Sequence, residues 1–169
     1  MTVPFGRLLG PALEALTLFE SGKTLDAAVG ASLTDSRMRP ALQAVLYDLT
    51  RRYFLCDCLV QFLSARPPTD NVRRILMLAL SELLLYPTKR FALVNETVNF
   101  AKANRKTSAA SGFVNACLRR FCRESDALVA EAMKNDIVRL NAPEWLLKKF
   151  SQDLGRTDAE ALLKLAQIP

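Results

Sequence analysis

Residues 108–123 read SAASGFVNACLRRFCR, and this stretch decides the fold. Its apolar side chains recur at the three- and four-residue spacing that places them on one face of an α-helix. Ser108 is positioned to cap this helix, because its hydroxyl can accept a hydrogen bond from a first-turn amide. Three arginines crowd the other end, Arg119, Arg120 and Arg123. They either oppose the negative end of the helix dipole or meet a charged partner.

The helical period extends from this stretch in both directions. Residues 71–85 are apolar almost all round, which is typical of a helix enclosed by others. The Ala-Arg-Pro-Pro-Thr run at residues 65–69 predicts a rigid connector before that helix. Because no segment has a sustained period of two, we predict an all-α bundle at residues 1–124. We predict a small helical appendage at residues 125–169, and we expect the chain to be part of something longer, because it stops at Pro169 without an ending signal.

Composition and cysteine usage restrict the class of protein. Half of the 169 residues are apolar and 24% are charged, as in globular chains. The longest apolar run, at residues 75–86, is far below the roughly 20 residues that cross a bilayer. The first ten residues also lack the apolar core of a secretory signal. We therefore expect a cytoplasmic protein with no membrane contact. The chain has four cysteines, no C-x-x-C pair and no histidine, so we expect reduced thiols and no metal site.

Positive charge is concentrated in one part of the chain. Residues 71–123 contain ten basic and two acidic residues, a net charge of +8, whereas the remainder has 13 basic and 15 acidic residues, a net charge of −2. This asymmetry favours a polyanionic partner, and RNA or DNA before a membrane. Scattered, solvated arginines are the alternative. The candidate RNA-binding residues are Arg73, Arg74, Lys102, Arg105, Lys106, Arg119, Arg120 and Arg123.

Several single residues carry predictions of their own. Gly10-Pro11 predicts the start of the first helix, since proline is tolerated at the first helical position. Gly112 within a helix costs about 1 kcal/mol relative to alanine, so we expect a close helix–helix approach there. Three aromatic residues could stack on a base, with packing in the core as the alternative: Tyr47, Tyr53 and Phe91.

Three motifs occur in order, LLLYP at residues 83–87, VNETV at residues 94–98 and GFVNACLRR at residues 112–120. Together they resemble the NusB-like helical domain, and more narrowly its version in 16S rRNA (cytosine-C5)-methyltransferases of the Sun/Fmu (RsmB) type. The segment NAPEWLL at residues 141–147 resembles the link between that domain and the catalytic part. Phe91 departs from the pattern, because a histidine is common there in that family.

The resemblance implies the non-catalytic region that binds and positions 16S rRNA beside the protein's own catalytic domain. S-adenosylmethionine is then expected in the full-length protein, and no cofactor in this chain. The chain has no Gly-x-Gly turn, and its cysteines do not follow the proline or threonine of the family's catalytic motifs. We therefore predict no catalytic, cofactor-binding or metal-binding residue here. Two alternatives stay open, a free-standing NusB-type transcription antitermination factor and a protein-interaction scaffold whose basic face docks a catalytic domain.

Overall fold

The structure, a computed structural model, describes residues 3–167; the expected chain end at Pro169 lies outside this range. These residues form ten α-helices and no strand, which confirms the all-α prediction. None of the helices within them is both long and apolar enough to cross a membrane. The helices are α1 (Phe5–Glu20), α2 (Leu25–Ser32), α3 (Arg39–Thr50), α4 (Tyr53–Leu63), α5 (Asp70–Leu85), α6 (Arg90–Ala103), α7 (Ser111–Ala132), α8 (Asp136–Arg139), α9 (Glu144–Leu154) and α10 (Arg156–Leu165).

Helix α5 lies at the centre of the bundle, as its all-round apolar sequence predicts. Every side chain from Ile75 to Leu80 is fully buried. Helices α1, α3, α4, α6 and α7 each pack against α5. Around it, α1 contacts α3 and α6, and α7 contacts α6 and α4, while α2 covers α1 and α3. The outer helices therefore each present one face to α5 and the opposite face to solvent.

Helix α1 begins at Phe5, so the predicted start at Gly10-Pro11 is wrong. Pro11 lies inside the helix, where its missing N–H and its ring cost about 3 kcal/mol. Phe5, Leu8 and Leu9 are all buried in the core. Each such side chain contributes about 1.5–3 kcal/mol on burial, so together they outweigh the cost of the proline.

Helix α1 packs against α6 at two glycines, where an added Cβ would be in ordinary van der Waals contact. A Cβ built on Gly6 would lie 3.4 Å from the Cβ of Glu96, and one on Gly10 would lie 3.6 Å from the ring of Phe100. The backbone N–H of Gly6 also donates to Oε2 of Glu96. The close approach expected at Gly112 is wrong, because a Cβ there meets no atom of residues 3–167 within 4 Å. Gly112 instead faces solvent on α7.

Helix α7 starts later and runs further than the sequence predicted. Ser108 lies in a preceding 3-10 turn and caps no helix within the described chain. The predicted domain boundary between residues 124 and 125 falls inside α7, which continues to Ala132. Leu128 and Val129 pack against the main core, and Ala132 is buried, so the apolar period continues through the polar segment at residues 124–126. The division into two domains stays a prediction.

The last three helices enclose a small core of their own, which contains Leu140, Ala142, Leu147 and Leu163. Asn141 joins this part to the bundle. Its Nδ2 donates to the carbonyl oxygen of Thr50 at 2.9 Å, and its Oδ1 accepts from the N–H of Phe54 at 3.2 Å. One amide thus pairs groups at the end of α3 and the start of α4 that the helices leave unpaired.

Candidate nucleic-acid interface

Three exposed basic residues lie where α6 ends and α7 begins. Lys102 is on the last turn of α6, and Arg105 and Lys106 are in the loop that follows. The loop is held in shape by Thr107, whose buried hydroxyl donates to the carbonyl oxygen of Ala101 at 3.0 Å. None of the three basic side chains forms an ion pair with a residue in 3–167. Their charges are therefore available to a partner.

The outward face of α7 continues this positive charge. Arg119 and Arg123 are exposed and one helical turn apart, and neither forms an ion pair within the described residues. Nε of Arg119 donates to Oδ1 of Asn115 at 3.0 Å. This hydrogen bond orients the guanidinium but does not neutralise its charge, because the amide of Asn115 is uncharged. The helical rise puts Arg123 about 18 Å from the start of α7. We call Lys102, Arg105, Lys106, Arg119 and Arg123 the basic surface.

Arg120, also predicted to bind RNA, has partners within the protein. Its Nε pairs with Oε2 of Glu124 at 3.0 Å, and its Nη1 donates to the carbonyl oxygen of Phe62 at 3.1 Å. The second contact occupies a last-turn carbonyl of α4, which has no intrahelical donor. Arg120 therefore joins α7 to the end of α4, and part of its charge is neutralised.

Arg73 and Arg74 lie outside the basic surface as defined above and have ion-pair partners within the protein. Nε of Arg74 lies 2.7 Å from Oε2 of Glu20, and Nη1 of Arg73 lies 3.0 Å from its Oε1. Arg73 also pairs with Asp57 at 2.6 Å and donates to the hydroxyl of Tyr53 at 3.1 Å. Burial acts to raise the pKa of Glu20, but hydrogen bonds from Tyr53 and both arginines lower it below its usual value. Two arginines and two carboxylates thus join α1, α4 and α5.

The predicted aromatic residues lie away from the basic surface. Tyr53 belongs to the network around Glu20, where its hydroxyl donates to Oε1 at 2.6 Å. Tyr47 donates to Asp26 at 3.4 Å on the side of the bundle formed by α2 and α3. Phe91 is 80% exposed, but it lies on the first turn of α6, at the opposite end from Lys102. Base stacking at the basic surface has no support from these three residues.

Sequence reasoning missed Arg66, which lies outside the charged block at residues 71–123. It is exposed in the loop between α4 and α5, without an ion pair to the described residues. Two contacts bring the end of α4 beside α7, one from Arg120 to Phe62 and one from Sγ of Cys117 to the carbonyl oxygen of Leu63 at 3.6 Å. Arg66 follows this junction by three residues. The sequence feature that could have identified Arg66 is its position in a proline-rich connector.

Two of the four cysteines, Cys56 and Cys117, are buried, and Cys58 and Cys122 are partly exposed. All four are free, and burial raises the pKa of each above its usual value. The effect is largest for Cys56, which is fully buried and whose pKa rises to about 12. Because the thiolate is the reactive form, thiols that stay protonated at neutral pH are poor nucleophiles. We therefore assign no catalytic role to them.

Comparison with known families agrees with this arrangement. The model of the NusB family matches residues 12–123, which include the bundle from α1 into α7 and all five residues of the basic surface. The chain belongs to the NusB family. This membership confirms the resemblance drawn from the three ordered motifs.

Among the proteins similar to this NusB family chain are ribosomal RNA small subunit methyltransferases B. The one from Escherichia coli O1:K1 / APEC is 33% identical over 114 residues, which cover 66% of this chain and 26% of the relative. The one from Serratia proteamaculans is 32% identical over 155 residues, which cover 83% of this chain and 35% of the relative. The chain thus spans about a quarter to a third of the length of these relatives.

Proposed function

We propose that this chain is the non-catalytic RNA-binding region of an S-adenosylmethionine-dependent 16S rRNA (cytosine-C5)-methyltransferase that acts in the cytoplasm. The observation that carries the proposal is the basic surface, five exposed cations without ion pairs to the described residues. Similarity to proteins named as ribosomal RNA methyltransferases supports rRNA as the polyanion. In this proposal the catalytic domain, with its S-adenosylmethionine, is a separate part of the protein and a partner of this region.

The basic surface would act by neutralising RNA phosphates. Such contacts fix the orientation of an RNA without reading its bases, so the choice of cytosine would belong to the catalytic domain. Gly112 and Ala116 are exposed on α7 between the loop cations and Arg119. Their lack of bulk allows a sugar-phosphate backbone to approach the helix closely. Arg66 extends the positive charge toward the end of α4.

The test is the salt dependence of RNA binding, measured by fluorescence anisotropy with a labelled structured fragment of 16S rRNA. About five phosphate contacts give a slope of log K against log salt of roughly −3 to −5. We expect Arg119→Ala with Arg123→Ala to make this slope shallower by about 1.5–2. The matched control, Lys148→Ala with Lys164→Ala, removes the same charge from exposed sites on α9 and α10. A slope near zero, or equal losses in the two variants, would refute the proposal.

One observation bears on the two alternative functions. Helices α8 to α10 lie beyond the residues matched to the NusB family, and Trp145 and Leu165 in them are 68% and 64% exposed. Exposed apolar side chains at this end favour contact with a further domain over a free-standing antitermination factor. For the scaffold alternative, Arg119→Ala with Arg123→Ala would weaken binding to the catalytic domain in a pull-down and leave RNA affinity unchanged.

A further inference from the structure

A groove of about 480 Å³ lies on the bundle where α1 and α6 begin and α5 ends. Its apolar walls include Phe5, Leu8, Val45 and Leu93. Lys102 of the basic surface is six residues beyond Glu96, the last groove residue on α6, which corresponds to about 9 Å along the helix. The groove is therefore a separate feature at the other end of α6.

Glu82 lines this groove with a carboxylate that has no partner. The residue is 7% exposed, and neither carboxylate oxygen has a hydrogen bond or ion pair with residues 3–167. Burial is the main cause that raises the pKa of Glu82 to about 7; Asp48 raises it further, and Lys89 and Arg52 lower it. A buried carboxylate without a partner is unfavourable once ionised, so a cationic ligand would gain from meeting it.

The surroundings of Glu82 indicate which cation fits. Glu96 lines the same groove, and only its Oε2 is occupied, by the N–H of Gly6. Tyr86 is 42% exposed on the groove, and its ring already carries the Lys89 ammonium at 4.9 Å from its centre. Phe91, 80% exposed, is next to the groove residue Ala92. The Glu82 carboxylate and the exposed Tyr86 ring on the same groove suit a guanidinium, which forms planar hydrogen-bond pairs with a carboxylate and stacks on rings.

We infer that the groove at Glu82 binds an arginine side chain, together with an adjacent apolar side chain, from a protein partner. The guanidinium would meet Glu82, and the apolar neighbour would enter between Phe5 and Leu93. The two carboxylates repel phosphate, so the partner is a protein and RNA remains at the basic surface. This inference does not depend on the proposed RNA binding, because it uses none of the residues of the basic surface.

The test is an NMR titration of the whole ¹⁵N-labelled chain with the peptide acetyl-Leu-Arg-Leu-amide. The control peptide replaces arginine with citrulline, which has nearly the same shape but no charge. We expect the arginine peptide alone to shift the amide signals of residues around the groove. Glu82→Gln should weaken this binding about tenfold or more, whereas Glu14→Gln, in a different surface groove, should leave it unchanged.

The pH dependence of peptide binding gives a second test, which needs no variant. Because the pKa of Glu82 is about 7, the unmodified chain should bind the arginine peptide up to about tenfold more tightly at pH 8 than at pH 6. The charged groups that act on Glu82 are Asp48, Arg52 and Lys89, and Glu96 lines the same groove. Three outcomes would each overturn the inference. They are equal binding of the arginine and citrulline peptides, no amide shifts at millimolar peptide, and shifts at the groove caused by the 16S rRNA fragment.

Discussion

The replacement of Glu82 by glutamine should give the protein a stability advantage that grows as the pH rises from about 4.5 to about 7. The pKa of this carboxyl rises from 4.5 to about 7 on folding, because it is buried without a partner in the described chain. The folded state therefore holds the proton more tightly than the unfolded state. The contribution of Glu82 to the free energy of unfolding is full below pH 4.5 and falls as the pH rises to about 7, by about 3 kcal/mol in all. Glutamine stays neutral and avoids this loss.

Urea denaturation of both proteins at pH 5 and at pH 8 measures the effect. We expect the advantage of Glu82→Gln to grow by about 2–3 kcal/mol between these two conditions. Glu14→Gln is the matched control, because Glu14 is exposed and has no hydrogen bond or ion pair with residues 3–167. An advantage that does not change with pH would refute the reasoning, and would mean that a cation such as Lys89 pairs with the carboxylate in solution.

Three further substitutions test the packing, all by urea denaturation. Asn141→Ala loses two hydrogen bonds and puts alanine at a φ of 45°, so the free energy of unfolding should fall by about 2–4 kcal/mol. Asn141→Gly should lower the free energy of unfolding by less, because glycine adopts this angle without strain. Equal decreases in the two variants would show that the backbone angle is irrelevant. Gly112→Ala enters open space on a helix and should add up to about 1 kcal/mol, and a loss would reveal a close neighbour. Glu20→Ala leaves Arg74, which is 13% exposed, without its ion-pair partner, and leaves Arg73 with Asp57 and Tyr53, so the free energy of unfolding should fall by about 2–4 kcal/mol. A change below about 0.5 kcal/mol would show that the pairs with Glu20 are unimportant.

Local periodicity was sufficient to predict the helices but not where they begin and end. The pattern around α5 predicted its central position, because only an enclosed helix has apolar residues on all sides. The same reasoning failed at Pro11, where three buried side chains nearer the N-terminus outweigh the proline. It also ended α7 too early, because Glu124, Ser125 and Asp126 suggest a break although the apolar period resumes in register after them.

The candidate site was harder to predict, because the partner of a charge is set by the tertiary fold. Arg73 and Arg74 read as free cations, yet the carboxylate they share is Glu20, more than fifty residues earlier in the chain. Nothing in the spacing of α5 indicates that α1 supplies this group. Arg119 and Arg123 were predictable as exposed, since they share the polar face of one helix with Asn115. Arg66 required the contact between α4 and α7, which the sequence does not reveal.

Helix α6 keeps the two proposed binding sites apart. Its outward face between them carries Asn95 and Asn99, which are exposed and uncharged. Lys102 is six residues beyond Glu96, the nearest groove residue on α6, so about 9 Å of helix separates them, close to the screening length of roughly 8 Å at physiological ionic strength. Screening by salt would therefore weaken, and not remove, the effect of RNA bound at Lys102 on the groove. A basic protein segment in the groove would not compete for the phosphates, so one small bundle can hold a ribosomal RNA at one end and a protein at the other.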